Sequence, residues 1–510
     1  MRSIKLHQLL SSVGIIFSND LVNPDINDIS FNSKEVAKGT LFLGMPGLNV
    51  DGGKYCFEAI KNGAAAAIIG TAAKNYLGSI DPKKVMVLED NLDYIFGQIA
   101  AEFWNRPSRK LKLIGVTGTN GKTTITFLLE YLLRKLGKKT ALFGTLFNRW
   151  PGFSEESSYT TDCADQLQKK LNAAFEANSE FAILEVSSHS IAQNRISGCE
   201  FNAAIFTNLS QDHLDYHSNM ESYFQTKRRL FFPPYLSEKN GTAVLNFDDL
   251  WISKLSSHLK KRSSLVSTKK IKSECKKEDI FYVTEKKFTE NGCSCIFHTP
   301  KEKINLFVPL VGEFNLMNAL QAITILYKLN FSLKDISRSI KSFPGAPGRM
   351  EKINFNNDVS ALLPTVIVDY AHTPDGLKKV LHSIKKLCGG KLITVFGCGG
   401  DRDTGKRPLM GAIAEQFSDY VFITSDNPRS EDPEKIISEI LNGIEKKDQI
   451  KIVIDRFEAI KESIEFAKKE DIVLIAGKGH EDYQILKDKK IDFDDRRIAH
   501  ELLHEKSKYK

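Results

Sequence analysis

The stretch Leu111-Lys112-Leu113-Ile114-Gly115-Val116-Thr117-Gly118-Thr119-Asn120-Gly121-Lys122-Thr123-Thr124 limits the possible folds more than any other part of the chain. Its first seven residues read as a buried strand. After the glycine turn, Ile125 to Leu136 carries Phe127, Leu128, Tyr131 and Leu132 at helical spacing, and Gly137 is placed to end the helix. A strand, a tight turn and a helix N-terminus in this order predict an α/β sheet with an anion site at the turn. Backbone N–H groups converge there, and the helix dipole favours negative charge. Lys122 can reach the β- and γ-phosphates of a nucleotide, and the Thr123 hydroxyl can ligate Mg2+. The strict phosphate-loop pattern wants glycine where Val116 stands, so an ordinary glycine-rich turn is the alternative. The Gly-Lys-Thr core and both flanking elements favour the nucleotide. Gly118, Thr119, Asn120, Gly121, Lys122, Thr123 and Thr124 are therefore the expected contacts of ATP or GTP.

At 510 residues the chain has room for about three domains. Residues 1–106 mix short strands (Thr40–Leu43, Ala64–Ile69, Lys84–Leu88) with glycine turns. Residues 107–343 open with the phosphate loop. Residues 344–510 alternate apolar runs with amphipathic stretches, the pattern of a parallel sheet flanked by helices. Asn105–Ser108 and Phe343–Gly348, rich in proline and glycine, are the expected joints. The excess of 71 Lys+Arg over 63 Asp+Glu suits polyanionic small molecules. With no interleaved aromatic–basic platform, nucleic acid is not expected, and the lysine-rich stretch Lys260–Lys277 reads as a solvated face. Eight cysteines without a CxxC pair suggest a reducing compartment. The apolar start is interrupted by His7, Gln8, Ser11 and Ser12, and no run is long enough to span a bilayer. The expectation is a cytoplasmic monomer without a membrane partner.

Further strings follow in order: Glu185-Val-Ser-Ser-His189, Thr207-Asn-Leu-Ser-Gln-Asp-His213, Asp369-Tyr-Ala-His-Thr-Pro-Asp375, Gly399-Gly-Asp-Arg-Asp403, Asp426-Asn-Pro-Arg429 and Gly477-Lys-Gly-His-Glu481. With the phosphate loop they resemble the Mur ligase family, which includes the folylpolyglutamate synthetases, from about Phe31 to Gln484. The resemblance implies an α/β protein of three domains: an N-terminal uridine-nucleotide-binding domain, a central P-loop ATPase-like domain and a C-terminal Rossmann-like amino-acid domain. It also implies an ATP-dependent ligase. A carboxylate attacks the γ-phosphate to give an acyl phosphate, and an incoming amine displaces phosphate. The order and spacing of the strings point to the branch that adds meso-diaminopimelate to UDP-N-acetylmuramoyl-L-alanyl-D-glutamate in peptidoglycan precursor synthesis.

Residue by residue, the resemblance makes Lys122, Glu185, His213 and Lys227 catalytic, with Thr123, Glu185, His213 and Lys227 around Mg2+. Lys227 matches the position of a carbamylated lysine (N6-carboxylysine), whose carboxylate-like oxygens suit a hard cation. Asn315 and Arg349 are the implied further ATP contacts, with Arg349 at the second joint. Asp369 and His372 either support closure there or are strand-end and cap residues before a helix near Pro374. Thr160, Thr161, Ser187, Gln193 and Arg195 are the implied contacts of the muramoyl peptide, and Phe31, Ser33, Leu48, Asn49 and Val50 those of the uridine end. Two departures stand out. Asp162 follows the Thr-Thr pair where relatives often have proline, and Phe31-Asn32-Ser33-Lys34 replaces the commoner Leu-Asp-Ser-Arg.

Arg402, Asp426, Asn427, Pro428, Arg429, Gly477 and Glu481 match the family's contacts to the incoming amino acid. Diaminopimelate carries a second carboxylate that lysine lacks. A planar guanidinium at Arg429 can hold it with two parallel hydrogen bonds, while Glu481 suits an ammonium. A lysine-adding ligase and a folylpolyglutamate synthetase are the enzyme alternatives. A nucleotide-dependent switch is the non-enzyme one, and it would not need Glu185, His213, Lys227, Arg429 and Glu481 together.

Overall fold

A computed structural model describes residues 2–47, 50–259, 262–270, 279–353, 362–487 and 489–508. Leu48 and Asn49 lie outside them, as do Lys260, Lys261 and residues 271–278. The structure is α/β throughout and builds three main sheets in succession along the chain. Asp28–Ser30, Thr40–Leu43, Ala66–Gly70 and Val85–Leu88 form the first, with every pairing parallel. The helix Leu92–Phe103 closes this unit with Phe96, Ile99 and Phe103 buried. At the first joint Asn105 and Arg106 both adopt left-handed backbone, at φ +61° and +45°, so the chain turns sharply before Pro107.

The central sheet has eleven strands among the described residues. Seven adjacent strands among the described residues pair in parallel: Thr140–Phe143, Phe181–Glu185, Lys112–Thr117, Ala203–Phe206, Thr242–Asn246, Ser263–Ser267 and Asp279–Thr289. Residues 113–116, residues 181–184 and Ala203–Phe206 are buried throughout and so read as continuous apolar runs. The phosphate-loop helix, Lys122–Lys135, ends where Gly137 takes φ +78°. Ser263–Ser267, within the stretch expected to be a solvated face, is instead a fully buried strand. Its serines pack inside the sheet, where their short side chains are tolerated, and local lysine content concealed that.

Six strands form the last sheet, in the order Glu351–Lys352, Thr365–Asp369, Ile472–Ala476, Leu392–Phe396, Tyr420–Ile423 and Ile450–Ile452. All pair in parallel except the first, an antiparallel edge. The late strand Ile472–Ala476 inserts between two early ones, so loops from distant parts of the sequence meet at the strands' carboxyl ends. The helix Pro374–Lys385 starts as expected, but its cap is Thr373, whose hydroxyl accepts from Gly376 N, rather than His372. No helix among the described residues is long and apolar enough to cross a membrane.

One buried ion pair ties this sheet to its loops. Arg456 and Asp495 are both fully buried and joined by two hydrogen bonds, Nε–Oδ1 at 2.8 Å and Nη2–Oδ2 at 2.7 Å. The same guanidinium donates to Ser425 O at 3.3 Å and Ala476 O at 3.1 Å. It thereby holds the two strand ends that lead into Asp426 and Gly477. Asp495→Asn leaves an uncompensated buried cation and is expected to cost roughly 3–5 kcal/mol in denaturant unfolding. A loss below about 0.5 kcal/mol would show that the pair does not hold the sheet.

Candidate active site

Strand adjacency assembles the phosphate site. Lys112–Thr117 lies between Phe181–Glu185 and Ala203–Phe206, with Glu185 paired to Val116 and Phe206 to Thr117. Glu185 and Thr207 therefore emerge beside Gly118. Gly118 sits at φ +145°, and a Cβ there would lie 1.8 Å from Thr207 Oγ1, so only glycine fits. Thr207 Oγ1 donates to Asn120 O at 2.6 Å, and Asn208 accepts from the amides of Thr119 and Asn120. These two residues, read in sequence only as a motif leading to His213, hold the loop's shape.

Two lysines converge on the loop. Lys122 Nζ donates to Gly118 O at 3.0 Å and Thr119 O at 2.9 Å, and buried Lys227 donates to the same Gly118 O at 3.0 Å. Burial lowers the proton affinity of Lys122, opposed by Glu185 and Asp212. Burial, then the charge of Lys122, lowers that of Lys227 well below the usual lysine range. Two amines that destabilise each other's charge suit a polyanion, which would relieve both. Arg349 reaches in from the second joint. Its Nη2 donates to Thr123 Oγ1 at 3.2 Å, its guanidinium covers the Tyr370 ring at 4.3 Å, and its buried Nε has no partner. Asn315 is buried and spends its amide on Val311 O, while Asn318, absent from the sequence reading, packs against Gly121.

Glu185 is fully buried, and its carboxylate meets only hydroxyl and amide donors: Thr123 Oγ1 at 3.2 Å, Thr126 Oγ1 at 3.5 Å, and Thr145 Oγ1 at 2.9 Å with its N–H at 3.2 Å. No lysine or arginine nitrogen is bonded to it among the described residues. An unneutralised buried carboxylate beside a threonine hydroxyl is an oxygen set that fits Mg2+. The other two expected ligands are not brought to it. His213, at φ +53°, turns its Nε2 toward Asp212 at 3.5 Å and its ring toward His189 at 4.8 Å. Partial desolvation lowers its pKa, and Asp212 opposes the fall. Lys227 bonds the loop carbonyl and lies 4.7 Å from the Tyr223 ring centre.

A cleft of about 1590 Å³ opens between the central and last sheets. Thr160, Thr161, Ser187, Arg195 and His213 line one wall, and Arg402, Asp426, Asn427, Arg429, Gly477 and Glu481 the other. On the first wall Thr161 Oγ1 donates to Glu185 O at 2.8 Å and accepts from Ser187 N at 3.2 Å, while Thr160 Oγ1 lies 3.2 Å from Thr145 Oγ1. Arg195 is braced by Thr161 O and Gln193 Oε1, each at 3.0 Å. Asp162, the departure from proline, accepts from Lys170 Nζ at 2.7 Å and Asn148 Nδ2 at 3.1 Å. An ion pair thus anchors the loop that relatives stiffen with proline.

On the opposite wall Gly477 takes φ +114°, and a Cβ there would come within 2.5 Å of Asp426 Oδ2. Asn427 Nδ2 donates to Glu481 Oε2 at 2.8 Å. Lys478, which the sequence reading quoted but gave no role, is fully buried and donates to Asn427 Oδ1 at 3.2 Å and Glu481 Oε2 at 3.1 Å. Burial raises the pKa of Glu481, and Lys478 opposes that rise. Arg429 Nη1 donates to Gly400 O at 2.7 Å. Arg402 Nη1 donates to the carbonyl of Asp401 at 3.4 Å. Pro428 lies between Asn427 and Arg429, and its carbonyl presses on Gly400.

Of the expected uridine contacts, Phe31, Ser33 and Val50 lie apart from the cleft lining, in loops that follow the strands Asp28–Ser30 and Thr40–Leu43. Phe31 N donates to Asp165 Oδ2 at 3.0 Å, buried Ser33 donates to Glu58 Oε2 at 3.2 Å, and Val50 is exposed. Asn32 accepts from Lys34 N at 3.0 Å and donates to Glu35, a local turn that keeps this segment's shape without the commoner aspartate.

Three family models match the chain: the Mur ligase family catalytic domain over residues 25–104, the Mur ligase middle domain over 116–326 and the Mur ligase glutamate ligase domain over 348–479. The chain is 80% identical to a UDP-N-acetylmuramoyl-L-alanyl-D-glutamate--2,6-diaminopimelate ligase from Prochlorococcus marinus subsp. pastoris, across 100% of both chains. It is 44% identical to a protein of the same name from Trichormus variabilis, across 99% of this chain and 100% of that one. A solved structure of that name aligns with a TM-score of 0.69 at 31% identity, covering 99% of each chain. The ligase MurF from Thermotoga maritima, solved with ADP, shares the fold at 17% identity and a TM-score of 0.64, over 97% of this chain and 100% of that one. With each main sheet overlapped by a family model and a relative 80% identical across both chains, this chain belongs to the Mur ligase family.

Proposed function

We infer that this chain is an ATP-dependent ligase that adds meso-diaminopimelate to the D-glutamate of UDP-N-acetylmuramoyl-L-alanyl-D-glutamate, in peptidoglycan precursor synthesis. The observation that carries this reading is one shared cleft, with a hydroxyl-rich wall beside the phosphate loop on one side and Arg429 and Glu481 on the other. The name of the relative that is 80% identical supports the substrates. Free carboxylates do not acylate amines at neutral pH, so the γ-phosphoryl group supplies a leaving group. The D-glutamate carboxylate attacks the γ-phosphorus and ADP departs, leaving an acyl phosphate. The amine of diaminopimelate then adds to the acyl carbon, and the tetrahedral species expels phosphate as the nitrogen loses its proton.

The chain's part in these steps is positioning and charge neutralisation. Lys122 and the phosphate-loop amides take the phosphates, and Arg349 adds positive charge from the joint. Arg195, Thr160, Thr161 and Ser187 orient the muramoyl peptide. The segment from Phe31 to Val50 takes the uridine end. Mg2+ held by Thr123 and Glu185, with His213 nearby, would neutralise the phosphate oxygens when bound. The low proton affinity of Lys227 supports its carbamylation, because the neutral amine is the form that adds to carbon dioxide. On the acceptor wall Arg429 takes the far carboxylate of diaminopimelate, Glu481 its ammonium, and Asp426, Asn427 and Gly477 frame them.

The direct test is phosphate release from ATP with the muramoyl dipeptide and either meso-diaminopimelate or L-lysine, with the product confirmed by mass. Turnover with diaminopimelate alone is expected, and equal turnover with lysine would remove the specificity claim. Arg429→Met should lower kcat/KM for diaminopimelate by about 10²–10⁴-fold and leave the KM for ATP unchanged. An unaltered preference over lysine would contradict the role of Arg429. A pH dependence also follows. Glu481 must be ionised to hold an ammonium, and burial raises its pKa, so its protonation begins above the ordinary carboxylate range. The KM for diaminopimelate should rise as pH falls through that range, and Glu481→Gln should flatten the rise. A KM independent of pH in the wild type would count against the contact.

A further inference from the structure

Arg407 lies behind the acceptor wall, on the helix Lys406–Phe417, with its side chain fully buried. Its guanidinium forms a fork on Glu431, Nη1–Oε2 at 2.9 Å and Nη2–Oε1 at 2.8 Å. Nη1 also donates to Glu439 Oε2 at 2.7 Å, and Nη2 to Gly399 O at 3.1 Å. One cation thus gathers the Gly399–Arg402 loop, the turn after Arg429 and the helix Pro433–Leu441. An apolar side chain of similar size would pack at such a position without the desolvation of a charge. The ionic fork therefore calls for an account in terms of orientation.

The contacts lead to Arg429 from two directions. On the side-chain route, Arg407 fixes the carbonyl of Gly399, and the next carbonyl, Gly400 O, accepts from Arg429 Nη1 at 2.7 Å. On the backbone route, Arg429 sits at φ +53°, a left-handed conformation that a side-chain-bearing residue keeps only when its surroundings enforce it. Ser430 is held by Asp401, through Oγ at 2.6 Å and N–H at 3.2 Å. The amide of Asp401 returns to Glu431 Oε1 at 2.5 Å, the same carboxylate that Arg407 grips. Gly400 allows the two loops to touch, since a Cβ there would lie 1.9 Å from Pro428 O.

We propose that Arg407 is a positioning residue for acceptor specificity: by clasping the Gly399–Arg402 loop to the Arg429–Glu431 turn, it aims Arg429 at the far carboxylate of the acceptor. The proposal rests on the reading above, in which Arg429 takes that carboxylate. Lysine keeps a charge at position 407 but cannot make the fork.

The test measures kcat and KM for meso-diaminopimelate and for L-lysine, with ATP and the muramoyl dipeptide saturating, in wild type, Arg407→Lys, Arg429→Met and the double variant. Arg407→Lys should raise the KM for diaminopimelate about tenfold and lower its preference over lysine by a similar factor. The KM values for ATP and the muramoyl dipeptide should hold, and in the Arg429→Met background Arg407→Lys should have almost no further effect on preference. An unchanged preference in Arg407→Lys, with Arg429→Met losing it, would overturn this inference alone. Unchanged preference in Arg429→Met would overturn both readings. Should Arg407→Lys fail to fold, Glu431→Gln removes the charge of the fork's other partner at a less buried position. It should shift preference the same way, and an unshifted preference there would also overturn the proposal.

Discussion

The carbonyl oxygen of Gly118 accepts from both Lys122 and Lys227, and the rest of the architecture depends on that convergence. Two amines in one low-dielectric site each oppose the other's charge, an opposition that carbamylation of Lys227 would remove. Gly118 needs its φ of +145° and its close approach to Thr207, and Thr207 comes from the neighbouring strand. Glu185 arrives from the strand on the other side, fully buried beside Thr123. Parallel pairing of three strands thus sets opposite charges on either side of one turn, where a nucleotide and its cation can be accommodated together.

The acceptor wall follows a different design. Its surface groups, Arg429 and Glu481, are partly exposed to the cleft, while charged groups behind them are fully buried. Arg456 ties the ends of two strands, Lys478 ties Glu481 to Asn427, and Arg407 ties the two loops around Arg429. Buried ions are poor sources of net stability, but their geometry is demanding, and here it fixes loops that would otherwise be free to shift. Between the two walls, Arg349 bonds Thr123 from the joint, and Asn120 meets Asp375 at 3.5 Å. The phosphate-loop turn and the last sheet's side of the cleft are therefore linked by side chains.

Much of this was legible in the sequence because it follows from short-range rules. The strand–turn–helix at Lys112–Lys135, the strand ending at Glu185 and the helix starting at Pro374 all announce themselves by apolar runs, glycine turns and proline. The residues proposed for the acceptor were legible as strings, though not their supports. Lys478 and Arg407 look like ordinary surface charges until the sheet order brings Ile472–Ala476 beside Leu392–Phe396. Ser263–Ser267 was hidden by its lysine-rich neighbours, because burial there comes from pairing with Thr242–Asn246 and not from its own composition. The position of His213, facing Asp212 and His189, depends on a left-handed residue that no local pattern announces.

The central claim is that the phosphate loop activates a substrate carboxylate as an acyl phosphate within reach of an amine held on the facing wall. The most direct measurement follows oxygen. The D-glutamate carboxylate of the muramoyl dipeptide would be labelled with heavy oxygen, the enzyme run to completion with ATP and meso-diaminopimelate, and the released phosphate weighed by mass spectrometry. The account predicts one labelled oxygen in each phosphate, since the carboxylate oxygen that attacks phosphorus leaves with it. Unlabelled phosphate, alongside normal amide product, would mean that phosphorus never bonded to the carboxylate and would contradict the account.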